Sequence, residues 1–204
     1  MGLEPNELRR RLWHFLPGML ALGSPILPHA FFLSPLWPVL VIGVTLTLFA
    51  IAVCCQKSFQ RDHESNCLSS IFSFGVCALP LLFFFRSRPE LGMTALGIMA
   101  FGDGSATLVG LLMGGRKLPW NAKKSWIGSM TFILVAVPIA AFIYCGNVVP
   151  NVSIEMSVAR TAPVVLVAAL VESLPGKFND NFLVGGTAAV AMVCVQLCTV
   201  GAWQ

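Results

Sequence analysis

Leu91 to Gly115 is a 25-residue apolar stretch broken by one charge, Asp103, which stands between Gly102 and Gly104. Four further runs carry no charge at all: Phe31 to Cys55, Cys67 to Phe85, Trp126 to Val149 and Phe182 to Gly201. Each is close to the roughly 20 residues an α-helix needs to cross about 30 Å of hydrocarbon. Backbone polar groups in hydrocarbon have to be satisfied within the segment, so such runs fold as helices. Only 11% of the 204 residues are charged and 56% are hydrophobic, roughly half the charge of a soluble domain. Two shorter segments, Leu12 to Pro28 and Thr161 to Val171, read as short, kinked or interfacial helices. The expected fold is therefore all-α: a polytopic transmembrane bundle of about seven segments, five of full length, with residues 1–204 forming one integral membrane domain.

The cations set an orientation. With the N-terminus in the cytoplasm, Lys and Arg at positions 9, 10, 11, 57, 61, 116, 117, 123, 124 and 177 fall inside, and only Arg86, Arg88 and Arg160 fall outside. Ten against three is a positive-inside bias. It assigns the loops around 56–66, 116–125 and 173–181 to the cytoplasm. Arg9, Arg10 and Arg11 before an apolar segment resemble a signal peptide, but Pro25 and Pro28 crowd its end and another apolar run follows, so no cleavage is expected. The seven cysteines, odd in number and without paired metal-ligand spacing, read as small buried hydrophobes. The net charge of +4 sits in loops rather than on a long basic face. It argues against nucleic acid as a partner and for an anionic ligand.

An aspartate at mid-bilayer costs about 2.5 to 3.5 kcal/mol on translocon scales and as a rule faces protein, pairs with another group and marks a functional site. The bland alternative for Asp103 is a protonated, hydrogen-bonded acid between helices. Asp103, Thr107 and Gly110 fall on one helical face at i, i+4 and i+7, a face expected to look into the bundle. Gly110 and Gly114 also form a G-x-x-x-G spacing that suits close helix approach.

Three polar clusters can converge near the cytoplasmic boundary. They are Gly102-Asp103-Gly104-Ser105, the basic loop from Gly114 to Ser125 with Arg116, Lys117, Lys123 and Lys124, and the stretch holding Glu172, Asp180 and Asn181. Carboxylates beside a basic, glycine-rich loop suit a magnesium-bound polyphosphate, because Mg²⁺ takes oxygen ligands and as a rule one or two protein carboxylates. Phosphoryl transfer needs mainly positioning and charge neutralisation, which metal and Lys/Arg supply. Ser125, at the start of a helix, offers a further anion contact. Positive-inside topology alone also accounts for the lysines. No P-loop and no G-x-G-x-x-G is present.

At these clusters the sequence resembles the CTP-dependent polyprenol kinase family, which includes dolichol kinase, phytol kinase and the CTP-dependent diacylglycerol kinase and is related to phosphatidate cytidylyltransferases. Four blocks carry the resemblance, in order: Arg10-Arg11-Leu12-Trp13-His14 followed by Gly18; Gly102-Asp103-Gly104-Ser105-Ala106; Lys124-Ser125-Trp126-Ile127-Gly128-Ser129; and Glu172 with Asp180-Asn181 eight residues on. The proline that the family often places after D-N is absent here, where Phe182-Leu183-Val184-Gly185 follows. The chain's shortness favours the phytol or short-chain prenol end of the family.

The resemblance implies a membrane lipid kinase that passes the γ-phosphate of CTP, or another nucleoside triphosphate, to a lipid alcohol such as phytol, geranylgeraniol or a polyprenol. It points to Asp103 and Asp180 as Mg²⁺ ligands and to Glu172 as a third ligand or an orienter of Lys124. Lys124, with Lys117 and Lys123, would clamp phosphates beside Gly102, Gly104, Ser105, Ser125 and Asn181. His14 is left as either a general base or a phosphate contact. Two rivals remain: a cytidylyltransferase attacking the α-phosphate, and a small transporter using Asp103 and Glu172 as an ion path.

Overall fold

The computed structural model describes residues 15–54, 67–176 and 180–200. We number its helices in chain order: α1 (Phe15–Ile26), α2 (His29–Leu33), α3 (Leu36–Cys54), α4 (Cys67–Phe84), α5 (Pro89–Met113), α6 (Trp126–Asn147), α7 (Ile154–Ser173) and α8 (Asp180–Val200). Four of them, α5 to α8, are long and apolar enough to cross a membrane, and the apolar parts of α1, α3 and α4 are shorter. The chain is thus a polytopic, all-helical membrane bundle of about seven segments. A two-stranded hairpin, β1 (Lys117–Leu118) and β2 (Asn121–Ser125), interrupts the helices between α5 and α6; the sequence reading had only a loop there.

Two expected boundaries move. The segment read as a short helix from Thr161 to Val171 is the last part of the 20-residue α7. Its first two turns contain Glu155 and Arg160, which broke the apolar run without breaking the helix. Conversely, Phe31 to Cys55 is not one span: α2 ends at Leu33 and α3 begins at Leu36. Pro35 disfavours helical geometry at Ser34, which sits extended with its hydroxyl donating to the Phe31 carbonyl.

Helix α5 is the axis of the bundle. It is 61% buried over its apolar window, against 28 to 33% for α6, α7 and α8, and every residue from Pro89 to Ala106 is buried. A helix apolar all round belongs in such a position. Helices α4, α6 and α8 pack along it, while α7 packs mainly on α6 and α8. The outer helices turn large side chains such as Val39, Leu134, Leu170 and Val190 outward, as helices solvated by lipid do.

Small residues set how closely these helices approach. A Cβ on Gly102 would fall 2.7 to 2.9 Å from the Phe132 ring of α6, and one on Gly128 would fall 2.9 Å from the Ala106 carbonyl oxygen. Gly110 faces the same crossing, with Gly128 Cα and Ser125 Oγ opposite it. The G-x-x-x-G expectation is half met, since Gly114 packs against nothing and instead ends α5 at φ 64°. Gly115 follows at φ 92°. Two consecutive left-handed positions, which only glycine adopts readily, turn the chain into β1.

The Gly128 contact is with backbone, which cannot swing aside. Gly128→Val should therefore destabilise the protein by about 1 to 3 kcal/mol, read as a lower melting temperature in detergent. Gly43→Ala, where the added methyl meets open space, should leave that temperature unchanged or slightly higher.

Candidate active site

The β1–β2 hairpin is pinned to the end of α7. Trp120 Nε1 donates to Ser173 Oγ at 3.2 Å, and Asn121 Nδ2 donates to the Ser173 carbonyl at 3.1 Å. Asn121 Oδ1 accepts from the Lys123 backbone N–H at 3.1 Å, tightening β2. The Trp126 N–H donates to the Arg116 carbonyl at 3.1 Å, and the Trp120 and Trp126 rings meet edge to face. The hairpin pairs Lys117 with Ser125 and Leu118 with Asn121, its register shifting between Lys117 and Leu118. Sequence distance disappears here: the basic loop lies against the residues around 172.

Lys124 is the meeting point. Its Nζ donates to Glu172 Oε1 in a short contact and to Asp180 Oδ2 at 2.8 Å, so one amine joins β2, α7 and the first turn of α8. Burial by itself would lower the Lys124 pKa. The Glu172, Asp103 and Asp180 carboxylates outweigh that and raise it above the ordinary 10.5. All three acids therefore bear on one cation, Glu172 and Asp180 by contact and Asp103 through its field. Glu172 and Asp103 are each only 3% exposed, while the Asp180 side chain is 45% exposed.

A cleft of about 340 Å³ opens beside this pair, lined by Lys117, Lys123, Lys124, Ser125, Glu172 and Asp180, with Thr107, Gly110, Gly128 and Ser129 forming the rest of its polar and small-residue wall. Six of the residues singled out in the sequence thus share one cavity. Others are placed differently. Asp103 ends a π-helical stretch, Ile98–Asp103, and is buried beneath the cleft rather than lining it. Such π-helical turns are frequent at functional sites. Gly102 and Gly104 are packing positions, against Phe132 and Phe15, and Ser105 donates back to the Gly102 carbonyl. These three do not line the cleft. Asn181 is buried in the first turn of α8. His14 lies outside the described residues.

The anion contact expected of Ser125 takes another form. Ser125 is the N-cap of α6, its hydroxyl accepting from the Gly128 N–H at 3.2 Å, and the Trp126 N–H is already bonded. The helix start is therefore largely satisfied from within, and the lysines supply the positive charge of the cleft. Among the described residues no group of three acids, histidines or cysteines stands close enough to hold a metal. Lys124 occupies the space between Glu172 and Asp180.

Sequence reasoning did not nominate Ser129, Thr107 as a cleft residue, or the Trp120 and Asn121 clasp on Ser173. Ser129 stood inside the Lys124-Ser125-x-x-Gly128-Ser129 block, so a signal for it existed. The clasp had none, because it joins side chains about 50 positions apart.

Fold and cleft together define a polytopic membrane protein whose acids and lysines converge at one end of the bundle. By sequence the chain is homologous to members of the phytol and polyprenol kinase family. It is 33% identical over 194 residues to phytol kinase 1, chloroplastic, of Arabidopsis thaliana, covering 88% of this chain and 63% of that protein. It is 30% identical over 187 residues to a probable chloroplastic phytol kinase of Triticum aestivum, covering 85% and 61%. To a phytol kinase of Synechocystis it is 25% identical over 193 residues, covering 94% and 81%. The chain spans less than two thirds of the length of these two plant relatives. No protein-family model and no solved structure matches it.

Lys124→Met would leave Glu172 buried without its counter-charge, and removing one partner of a buried pair costs about 3 to 5 kcal/mol. The folded-state pKa of Lys124 is raised, so its stabilisation is complete below the ordinary 10.5 and is lost only as pH climbs through the higher folded value. The melting-temperature gap between the parent and Lys124→Met should accordingly hold from about pH 7 to about pH 10 and shrink beyond it. Thermal melts across that range check both points.

Proposed function

We propose that this chain is a membrane lipid kinase that transfers the γ-phosphate of a nucleoside triphosphate to an isoprenoid alcohol of the phytol class. The observation that carries the reading is the convergence of Lys117, Lys123 and Lys124 with Glu172 and Asp180 on one cleft at an end of the helical bundle. The homology to phytol kinases supports the acceptor class, and the family resemblance favours CTP as donor. Cations on a polar hairpin suit a polyphosphate; an apolar bundle suits a long hydrocarbon tail.

The acids are all oxygen donors, the chemistry Mg²⁺ prefers. Glu172 and Asp180 are both engaged by Lys124, so the donors fit the metal in chemistry and not in their present spacing, and a bound ion would displace that amine. Asp103 and Asp180 would hold the ion, with Glu172 as a further ligand or as the group that orients Lys124. When bound, Mg²⁺ would supply charge neutralisation for the transferring phosphate. Lys124 acts as a point charge on phosphate oxygens, helped by Lys117 and Lys123. Glu172 and the Asn121 clasp on Ser173 hold Lys124 in register with the cleft. The acceptor hydroxyl attacks from the bilayer side, and its proton passes to a carboxylate of the cleft.

The same reading puts the hairpin and the end of α7 on the cytoplasmic face. Arg88 and Arg160 belong to the starts of α5 and α7, the opposite end from the hairpin. There Arg160 Nη1 donates to Tyr144 Oη at 2.9 Å and Arg88 lies 3.7 Å from Glu90. Two of the three cations of that end are thus tied into protein.

Purified protein in detergent, given phytol and CTP, should place γ-label in the lipid. Label from the α-position would instead identify nucleotidyl transfer. Asp103→Asn should lower turnover on the order of 10²-fold or more without loss of expression, Lys124→Ala should lower it as far at the cost in stability given above, and a chelator should abolish activity until Mg²⁺ is restored. Normal turnover by Asp103→Asn would remove Asp103 from the mechanism.

A further inference from the structure

We propose that Ser129 binds the hydroxyl of the lipid acceptor and fixes the acceptor oxygen against the phosphate held by the lysines; the assignment rests on the kinase reading above. Ser129 lines the cleft, and its Oγ is closed to solvent and has no hydrogen-bond partner among the described residues. Three hydroxyls near it in sequence or space are engaged. Ser125 Oγ accepts from the Gly128 N–H, Thr131 donates to the Ile127 carbonyl at 2.8 Å, and Ser173 donates to the Leu170 carbonyl at 2.7 Å. Two other buried polar atoms lack partners, Thr94 Oγ1 and Arg160 Nε, and both belong to the opposite half of the bundle. A buried hydroxyl without a partner is destabilising and as a rule marks a missing ligand or water.

Depth selects the ligand. Gly128 lies against the Ala106 carbonyl, so Ser129 shares the level of Ala106 and Thr107. It is one helical turn further into the bundle than Ser125, and on the bilayer side of Lys124. The outer tier is charged and suits phosphate. The cleft wall at the level of Ser129, formed by Ala106, Thr107 and Gly128, carries no charge of its own, Asp103 lying a turn deeper and off the cleft, and a hydroxyl that can both donate and accept suits an uncharged alcohol, whose only polar group has to enter from the hydrocarbon. With the acceptor so held, its oxygen forms a bond to the terminal phosphorus and the bond from that phosphorus to the bridging oxygen breaks. The nucleoside diphosphate leaves with the electron pair, the acceptor proton goes to a cleft carboxylate, and Ser129 is unchanged.

The test is steady-state kinetics of Ser129→Ala with phytol and CTP varied separately, alongside Ser129→Thr, which keeps the hydroxyl. We expect Ser129→Ala to raise KM for phytol about tenfold, the effect of one hydrogen bond, with KM for CTP unmoved. Ser129→Thr should recover most of the loss. If the alanine variant melts below the parent, Ser129→Cys, of nearly the same size but a poor hydrogen-bonding group, replaces it. A rise in KM for CTP instead of phytol would reassign Ser129 to the nucleotide and overturn the proposal, as would an active variant with both constants unchanged. No transfer by the unaltered protein would remove the kinase reading and this assignment together.

Discussion

The contact of Lys124 with Glu172 and Asp180 is the constraint on which the functional half of the molecule depends. It joins the hairpin to the end of α7 and the start of α8, about 50 positions further along the chain, and it does so where the buried Glu172 would otherwise face an apolar surround without compensation. A buried carboxylate is tolerated when paired and hydrogen-bonded, and Glu172 meets that condition through this amine. The hairpin bonds to Ser173 look secondary in energy, yet they decide where the amine can be. The bulk of the bundle is held by apolar packing, and this one ionic knot determines how its end is arranged.

Helix α5 supplies the complementary element. Its glycines admit Phe132 and Phe15 into near contact, which draws α6 and α1 against it and leaves Asp103 enclosed. The π-helical stretch ending at Asp103 changes the angular phase of the helix, so residues before and after it face different neighbours. The acid sits at that change of phase, while Thr107 and Gly110, one and two turns later, reach the cleft wall.

Much of this was legible in the chain. Apolar runs gave the membrane class and most of the helices, because length and lack of charge are local properties. Lys117, Lys123, Lys124, Ser125, Glu172 and Asp180 were picked out as one site from residue type and order, and they do line one cavity. The misreadings have physical causes. The start of α7 was missed because Glu155 and Arg160 interrupt the hydropathy but not the helix. Gly102, Gly104 and Ser105 were read as phosphate contacts because glycines beside an acid suggest backbone approach to a ligand; that aromatic rings pack on the two glycines is not visible in the chain. Ser129 escaped because an unpaired hydroxyl is visible only once its surroundings are known.

The burial of α5 bears on how the molecule meets its bilayer. Outer helices can tilt or slide a little to match a thicker or thinner hydrocarbon layer. The axial helix touches almost no lipid from Pro89 to Ala106, so the strain of mismatch falls on the periphery. Asp103 is thereby shielded from the thickness of whichever membrane the protein occupies.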